Sequence, residues 1–355
     1  MFALLVCSCS IEIDQTSGTP TQSNTPAISS TSIVTGTRVP VTWAHLNLTG
    51  KLIYLSSTME GNTLTSDIQM LDLATGNIST ILSIPSAWVY YATVSPDAKI
   101  LVMSYAPPSQ PNSPSSRSLY MISLDAFAEP QPLFTPPTPN DRYTQAEWSP
   151  DGKSVYYVHY NQEDREGQFF EDYDISQIAY PEGEHKKILE HAFWPRVSPD
   201  SSKLVYVSLD PDSGRNELFI ANADGGSPQR VALSGTEAPE IIDAPIFSPD
   251  GTSILFSAPQ PAQANQPNWL ERLMGIQVVK AHNVPSDWWS VPVTGGEPTR
   301  LTNIQTINLF ASISPDQRHI ASLSGEGIFV MDLDGSNLTQ LLSDSGVHGT
   351  VSWIP

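Results

Sequence analysis

Apolar and β-branched residues in this chain gather in short runs of strand length, at residues 100–104, 154–158, 203–207, 253–256 and 319–323. Such runs, rich in Val, Ile, Leu, Phe and Tyr, predict β-strands. Each follows the same tripeptide: Ser95-Pro96-Asp97, Ser149-Pro150-Asp151, Ser198-Pro199-Asp200, Ser248-Pro249-Asp250 and Ser314-Pro315-Asp316. Shorter apolar segments precede the turns, as at 91–94, 146–148 and 245–247. Pro presets φ near −65°, Asp bonds neighbouring backbone, and the next residue takes the left-handed conformation that closes a bulged hairpin. Gly152 and Gly251 suit that last position, whereas Ala98, Ser201 and Gln317 occupy it under some strain. The five aspartates are therefore read as turn formers, not as catalytic or metal-binding groups.

Successive serines of the tripeptide stand 54, 49, 50 and 66 residues apart. A period near fifty marks a repeat architecture. Six units follow from about residue 43, each a strand, a turn, a second strand, a variable connection, and two further strands around a tight turn. Third strands are expected at 68–73, 119–124, 174–178, 217–221, 288–293 and 327–333. Fourth strands end in Thr80-Ile81-Leu82, Lys187-Ile188-Leu189, Arg230-Val231-Ala232, Arg300-Leu301-Thr302 and Gln340-Leu341-Leu342. Asp224-Gly225-Gly226, Thr294-Gly295-Gly296 and Asp334-Gly335 supply the turns between them. The last residues, 348–355, form a first strand with no blade after it, so they return to the opening unit. The reading is all-β: a six-bladed β-propeller of four-stranded antiparallel blades, closed by the C-terminal strand.

Charge narrows the function classes. The 355 residues carry 17 Lys+Arg against 37 Asp+Glu, a formal net charge of −20, which argues against nucleic acid and against an anionic bilayer surface as direct ligands. Both cysteines, Cys7 and Cys9, fall in the first nine residues, so no disulfide framework is expected in the body. The start resembles the end of a bacterial lipoprotein signal, with small Ser8 before a candidate lipidated Cys9, although the apolar run is short and no Lys or Arg precedes Arg38. Residues 1–9 are thus read as a truncated lipoprotein signal. Residues 10–41, dominated by Thr, Ser and Pro, are read as a disordered tether, and 42–355 as the propeller.

The Ser-Pro-Asp-Gly-Lys turn, the Asp-Gly or Gly-Gly turn and the closing Arg-Leu-Thr resemble the TolB-like, PD40 or WD40-like, propeller repeat of the bacterial lipoprotein type, over roughly residues 43–355. The resemblance implies the fold but not one function. Members include periplasmic scaffolds that bind a peptidoglycan-associated lipoprotein, and propeller gates of prolyl oligopeptidase-type proteases. The sialidase Asp-box is absent, because the spacing around Ser-Pro-Asp differs from it.

In a four-stranded meander the Ser-Pro-Asp and Asp-Gly turns share one face, and the second-to-third-strand connections share the other. The latter are long and dissimilar, at 106–116, 161–172, 210–215 and 258–286, and variable loops on a rigid scaffold are where binding concentrates. The connection at 258–286 holds a short amphipathic segment with Trp269, Leu273 and Ile276 on one face, followed by His282 and the pair Trp288-Trp289. It reads as a lid, or as one wall of a site. Residues entering the first strands should reach the channel mouth: Tyr90, Tyr91, Gln145, Glu147, Trp194, Arg196, Asp243 and His348. Arg196 is a candidate ligand cation or an inter-blade salt bridge.

Glu163, Asp164, Glu166, Glu171, Asp172 and Asp174 have the ligand type for Ca²⁺ but read better as a solvated acidic loop. Asp210-Pro211-Asp212-Ser213-Gly214 is half a calcium loop, lacking the later ligands. No metal and no cofactor are expected. Nucleophile elbow, zinc and phosphate-loop motifs are missing. The expected protein is a monomeric, extracytoplasmic, lipid-anchored binder or scaffold for an envelope protein, peptide or glycan. The alternative is a hydrolase or lyase acting on peptides or sugars at the channel mouth.

Overall fold

A computed structural model describes residues 34–107, 117–126, 129–135, 141–165, 168–209, 216–236, 238–260 and 284–355. Six antiparallel sheets are arranged as the blades of a propeller. Blade two is formed by Trp88–Val94, Ile100–Ala106, Ser118–Ser123 and Gln131–Pro132, innermost strand first. Blade three is Arg142–Trp148, Ser154–Arg165, Gln168–Ala179 and His185–Leu189. Blade four is Ala192–Val197, Lys203–Leu209, Asn216–Asn222 and Gln229–Arg230. Blade five is Asp243–Phe247, Ser253–Ala258, Asp287–Pro292 and Thr299–Arg300. Blade six is Phe310–Ile313, His319–Ser324, Gly327–Asp332 and Thr339–Ser343.

Blade one closes the ring. Its innermost strand is the C-terminal Val347–Ile354, which pairs with Lys51–Glu60; Thr63–Asp72 and Asn77–Pro85 follow outward. The closing strand is also stitched to both neighbours. Thr350 Oγ1 donates to Ala92 O (2.5 Å) and accepts the Ala92 N–H in blade two, while the Trp353 N–H donates to Ser312 Oγ (3.1 Å) in blade six. A fifth strand, Val34–Arg38, adds to the outer edge of blade one by pairing with Asn77–Pro85. The sequence places these residues at the end of the tether; the sheet edge offers their backbone a ladder of partners that composition alone does not reveal.

The second strand of every blade is buried along its middle, as in Leu52–Leu55, Leu101–Tyr105 and Val155–Val158. Neighbouring blades cover both its faces, and this is why those runs are apolar throughout rather than alternating. One cluster joins Ile53, Leu55 and Ile68 of blade one to Val89, Leu101 and Met103 of blade two. Another joins Tyr156, Val158 and Ile175 of blade three to Leu204 and Tyr206 of blade four.

All five Ser-Pro-Asp turns have one geometry. The serine hydroxyl donates to the aspartate Oδ1 at 2.6, 2.7, 2.6, 2.6 and 2.5 Å. The serine Oγ in turn accepts the N–H of the residue five places on (2.8–3.0 Å), from Ile100, Ser154, Lys203, Ser253 and His319. The fourth residue is left-handed whether or not it is glycine: Ala98 (57°), Gly152 (70°), Ser201 (60°), Gly251 (69°) and Gln317 (61°).

These bonds hold the carboxyls low. The serine hydroxyl is the leading cause at Asp97, Asp151, Asp200 and Asp250, and Asp200 falls to about 2. At Asp316 burial opposes the shift and the bonds from Ser314 and the Arg318 N–H outweigh it. A carboxyl whose folded pKa lies below its unfolded value of ~3.9 stabilises the fold fully above that value, and the contribution is lost as pH falls through the folded pKa. Burial raises the Glu147 and Asp174 carboxyls, which contribute in the opposite direction above pH 4. Urea midpoints should therefore change little from pH 7 to about 5 and fall steadily between about pH 4 and pH 2. Ser198→Ala should flatten the acid limb. An acid limb as steep in that variant as in the parent would remove the turns from the explanation.

Candidate binding site at the channel mouth

The innermost strands of blades two to six start at the loop-rich face and end at their Ser-Pro-Asp turns. Most of these strands carry a bulge part-way along, marked by a register shift and a left-handed residue: Gln145 (51°), Trp194 (57°), Ala244 (43°) and Gly349 (70°). Blade two shifts register between Val89 and Tyr91. A bulge re-aims the side chains beside it. Tyr91, Trp194 and Phe310, four residues before their respective serines in blades two, four and six, meet on the axis. Their ring centroids are 5.4 Å (Tyr91–Trp194), 5.0 Å (Trp194–Phe310) and 5.9 Å (Tyr91–Phe310) apart. Alternate blades thus contribute one ring each, and together they plug the channel. The Gln145 Oε1 accepts the Trp194 N–H (2.8 Å), fixing the strand at its bend. Burial pushes the Tyr91 hydroxyl up, with Asp243 adding to the rise and Arg117 opposing it.

Two residues nearer the turns, ~7 Å along an extended strand, Arg196 Nη1 donates to Glu147 Oε2 at 2.6 Å between blades three and four. Of the two readings of Arg196, the structure shows the inter-blade salt bridge. Both residues were expected to face the mouth, and the plug places them on its far side. Burial pushes the Glu147 carboxyl up, and the Arg196 charge and hydrogen bond pull it back down.

On the loop-rich side of the plug, rings form an arc across blades one to four. His348 stacks on Trp88 (4.6 Å), Trp88 meets Tyr90 edge-on (6.1 Å), and the Arg117 guanidinium lies 3.7 Å over the Tyr90 ring. Beyond it Arg142 lies 5.7 Å over Tyr160, which continues to Tyr173 (5.0 Å) and Phe193 (5.9 Å). Arg142 is exposed and the rings are half-buried. Beside Arg142, His159 Nε2 pairs with Asp141 Oδ1 at 2.8 Å, its imidazole stacked on Tyr143 at 4.8 Å.

No known protein-family profile matches the chain. Solved structures do. TolB from Acinetobacter baumannii superposes with a TM-score of 0.60 at 17% identity, covering 86% of this chain and 67% of that one. A putative TolB from Agrobacterium tumefaciens gives 0.58 at 18% identity, covering 85% of this chain and 99% of that one. The chain has the TolB-like propeller fold. The same architecture also underlies an oligogalacturonate lyase from Vibrio parahaemolyticus, with a TM-score of 0.50 at 10% identity over 84% of this chain and 87% of that one.

Other expected site residues of this TolB-like propeller are dispersed. His348 lies on the seam between blades one and two, its ring nitrogens 2.9 Å from Val89 O and 3.1 Å from Gly346 O. Asp243 is buried, and its Oδ1 accepts the Ala244 N–H (3.0 Å). Trp288 is not at an exposed rim: it is fully buried, and its Nε1 donates to Ser322 Oγ (2.8 Å) in blade six. A third strand sandwiched between blades has no rim to offer. Cys9, Trp269, His282 and the half calcium loop at 210–214 lie outside the described residues.

The expected acidic loop at 161–172 is largely strand, a long hairpin paired out to Arg165 and Gln168. Asp172 pairs with His191 (3.0 Å) and Asp174 with Lys187 (3.3 Å). Among the described residues no three His, Cys, Asp or Glu side chains converge on a metal position. A groove of about 770 Å³ lies between blades four and five on the turn face, lined by Asp200, Lys203, Arg230, Phe247 and Asp250, far from the arc.

Trp88, Arg117, Arg142, His159 and Tyr160 were not singled out from the sequence. They stand at the loop-side ends of strands, and that position was the available signal.

Proposed function

We propose that this TolB-like propeller is an extracytoplasmic binding protein, tethered through Cys9, that holds a partner protein or peptide on its loop-rich face. The observation that carries the reading is the arc of rings and two arginines above a closed channel. The aromatic plug makes the mouth a shallow cup with a floor, suited to a surface or an extended segment. Aromatic and arginine side chains are the types that dominate interface energetics. The TolB proteins among the structural neighbours support a binding or scaffold role at the level of fold.

A photo-crosslinker at Trp88 or Tyr160 of the full chain should capture one envelope protein, and the same group at Asp250 on the turn face should not. Trp88→Ala should weaken that complex at least tenfold with little change in melting temperature. Equal capture from both faces would end the assignment.

One observation favours a second reading, hydrolysis or elimination at the mouth. The His159–Asp141 pair has the geometry of an oriented general base. Turnover of a peptide or sugar substrate that His159→Ala abolishes in a folded protein would establish it.

A further inference from the structure

Arg117 is the one group of the arc whose chemistry is left incomplete. It precedes the third strand of blade two, and its carbonyl accepts the Tyr143 N–H (3.0 Å) of blade three, so the side chain is held over the seam between these blades. The guanidinium lies flat on Tyr90. Its Nε is buried without a hydrogen-bond partner, and no described carboxylate pairs with it. The residue as a whole is half-exposed, which leaves the terminal nitrogens as the edge that meets solvent. The groups acting on it are Tyr90, Tyr91, Arg142 and Tyr160: three phenols and a second cation, so that burial and like charge both disfavour its charged form.

A guanidinium cannot shed its proton to relieve that cost. Withdrawing part of such a cation from water without a counter-charge is unfavourable. Ring contact offsets only part of it. Two arginines brought together, neither in a salt bridge with a described carboxylate, in a chain of net charge −20, form an anion-shaped vacancy in the charge pattern. A planar guanidinium fork matches a carboxylate bidentately.

The geometry points to a carboxylate-binding site at the blade two–three seam, with Arg117 as the principal donor, Arg142 as the second, and Tyr90 and Tyr160 as the flanking ring faces. This rests on the partner-binding reading above and names its chemistry. The net charge selects the source of the carboxylate. At low salt, where the screening length grows well past ~8 Å, a polyanion is repelled by the acidic surface of the whole chain, whereas a single carboxylate on a neutral or basic segment meets chiefly the local cations. The occupant is therefore a peptide segment with one acidic side chain in a basic setting.

The test uses the full chain and a labelled, end-capped peptide, Lys-Gly-Glu-Gly-Lys, followed by fluorescence anisotropy. It should bind at least about tenfold tighter than the same peptide with Gln for Glu. It should also bind tighter than an all-Glu pentapeptide at low salt. Arg117→Gln should bring the Glu peptide down to the Gln peptide's affinity, and Arg142→Gln should give a smaller loss. Equal affinity for the Glu and Gln peptides overturns the proposal, as does an unchanged preference in a folded Arg117→Gln. An oligogalacturonate that binds Arg117-dependently while the Glu peptide does not overturns the choice of a peptide. Should Arg117→Gln fail to fold, the parent's Glu-to-Gln ratio and Arg142→Gln, on an exposed side chain, still decide. Crosslinking through Trp88 that persists without any carboxylate preference would sink this inference and leave the partner-binding reading intact.

Discussion

A chain ending at Ser345 is expected to lose cooperative unfolding altogether. The ten residues removed include the innermost strand of blade one, which pairs with Lys51–Ser56 along its length. Trp353 is buried, and its Nε1 donates to Thr49 O (2.9 Å). Loss of a buried Trp alone costs about 3–5 kcal/mol, and Val347 and Val351 are buried beside it. A domain has only about 5–15 kcal/mol to lose. Deletion also strips the cover from Leu52–Leu55 and leaves an unpaired apolar edge on the axis, a site for aggregation. Calorimetry should show no sharp transition, and a dye that reports exposed apolar surface should bind strongly.

A milder version isolates the seam. At Gly349 φ is +70° and an added Cβ would lie 2.4 Å from the Tyr90 carbonyl oxygen, so Gly349→Ala should lower stability by at least about 1–3 kcal/mol. A truncated chain that melts sharply within a few degrees of the parent would show that the ring does not depend on its closing strand.

Features written in one short stretch were the legible ones. The Ser-Pro-Asp turn is determined by three residues and the one that follows, and it appears with the same hydrogen bonds in all five places even where Ala98, Ser201 or Gln317 replaces glycine. The closing strand was legible because residues 348–355 form a strand with no blade of their own. The plug was not. Tyr91, Trp194 and Phe310 come from alternate blades, and their meeting depends on where each innermost strand bulges, a detail of register that no local pattern encodes.

The hairpin at 154–179 departs from the expected loop for a related reason. Its polar outer half looks like loop, but its register is inherited from Ser154–Tyr160, and pairing carries on past the apolar part. Arg117 escaped notice because its significance is relational: an arginine before a strand means little until its neighbours prove to be phenols and another arginine.

Trp194→Ala should be the most destabilising single substitution at the axis, and it should also change what the channel does. The indole is buried and touches both other rings of the plug. Truncation of a buried Trp costs about 3–5 kcal/mol, toward the lower end where water can fill the space. For a chain of this size that corresponds to a fall in melting temperature of roughly 4–8 °C. Ala accepts the left-handed φ of 57° no better than Trp, so no relief of strain offsets the loss.

The second effect distinguishes opening of the plug from simple loosening. Burial is the main reason the Tyr91 hydroxyl titrates above the ordinary phenol range. Tyr91 is only partly buried in the parent; with the indole gone it gains further water from the channel, and its pKa should fall toward ~10. Ultraviolet titration should then count one more tyrosine ionising in the ordinary range than in the parent. Phe310→Ala should have the same effect, because either ring completes the seal. Trp288→Ala, equally buried but lodged between blades five and six, should lower the melting temperature without adding to that count. If all three variants left the tyrosine titration unchanged, Tyr91 would not owe its burial to the rings that meet it on the axis.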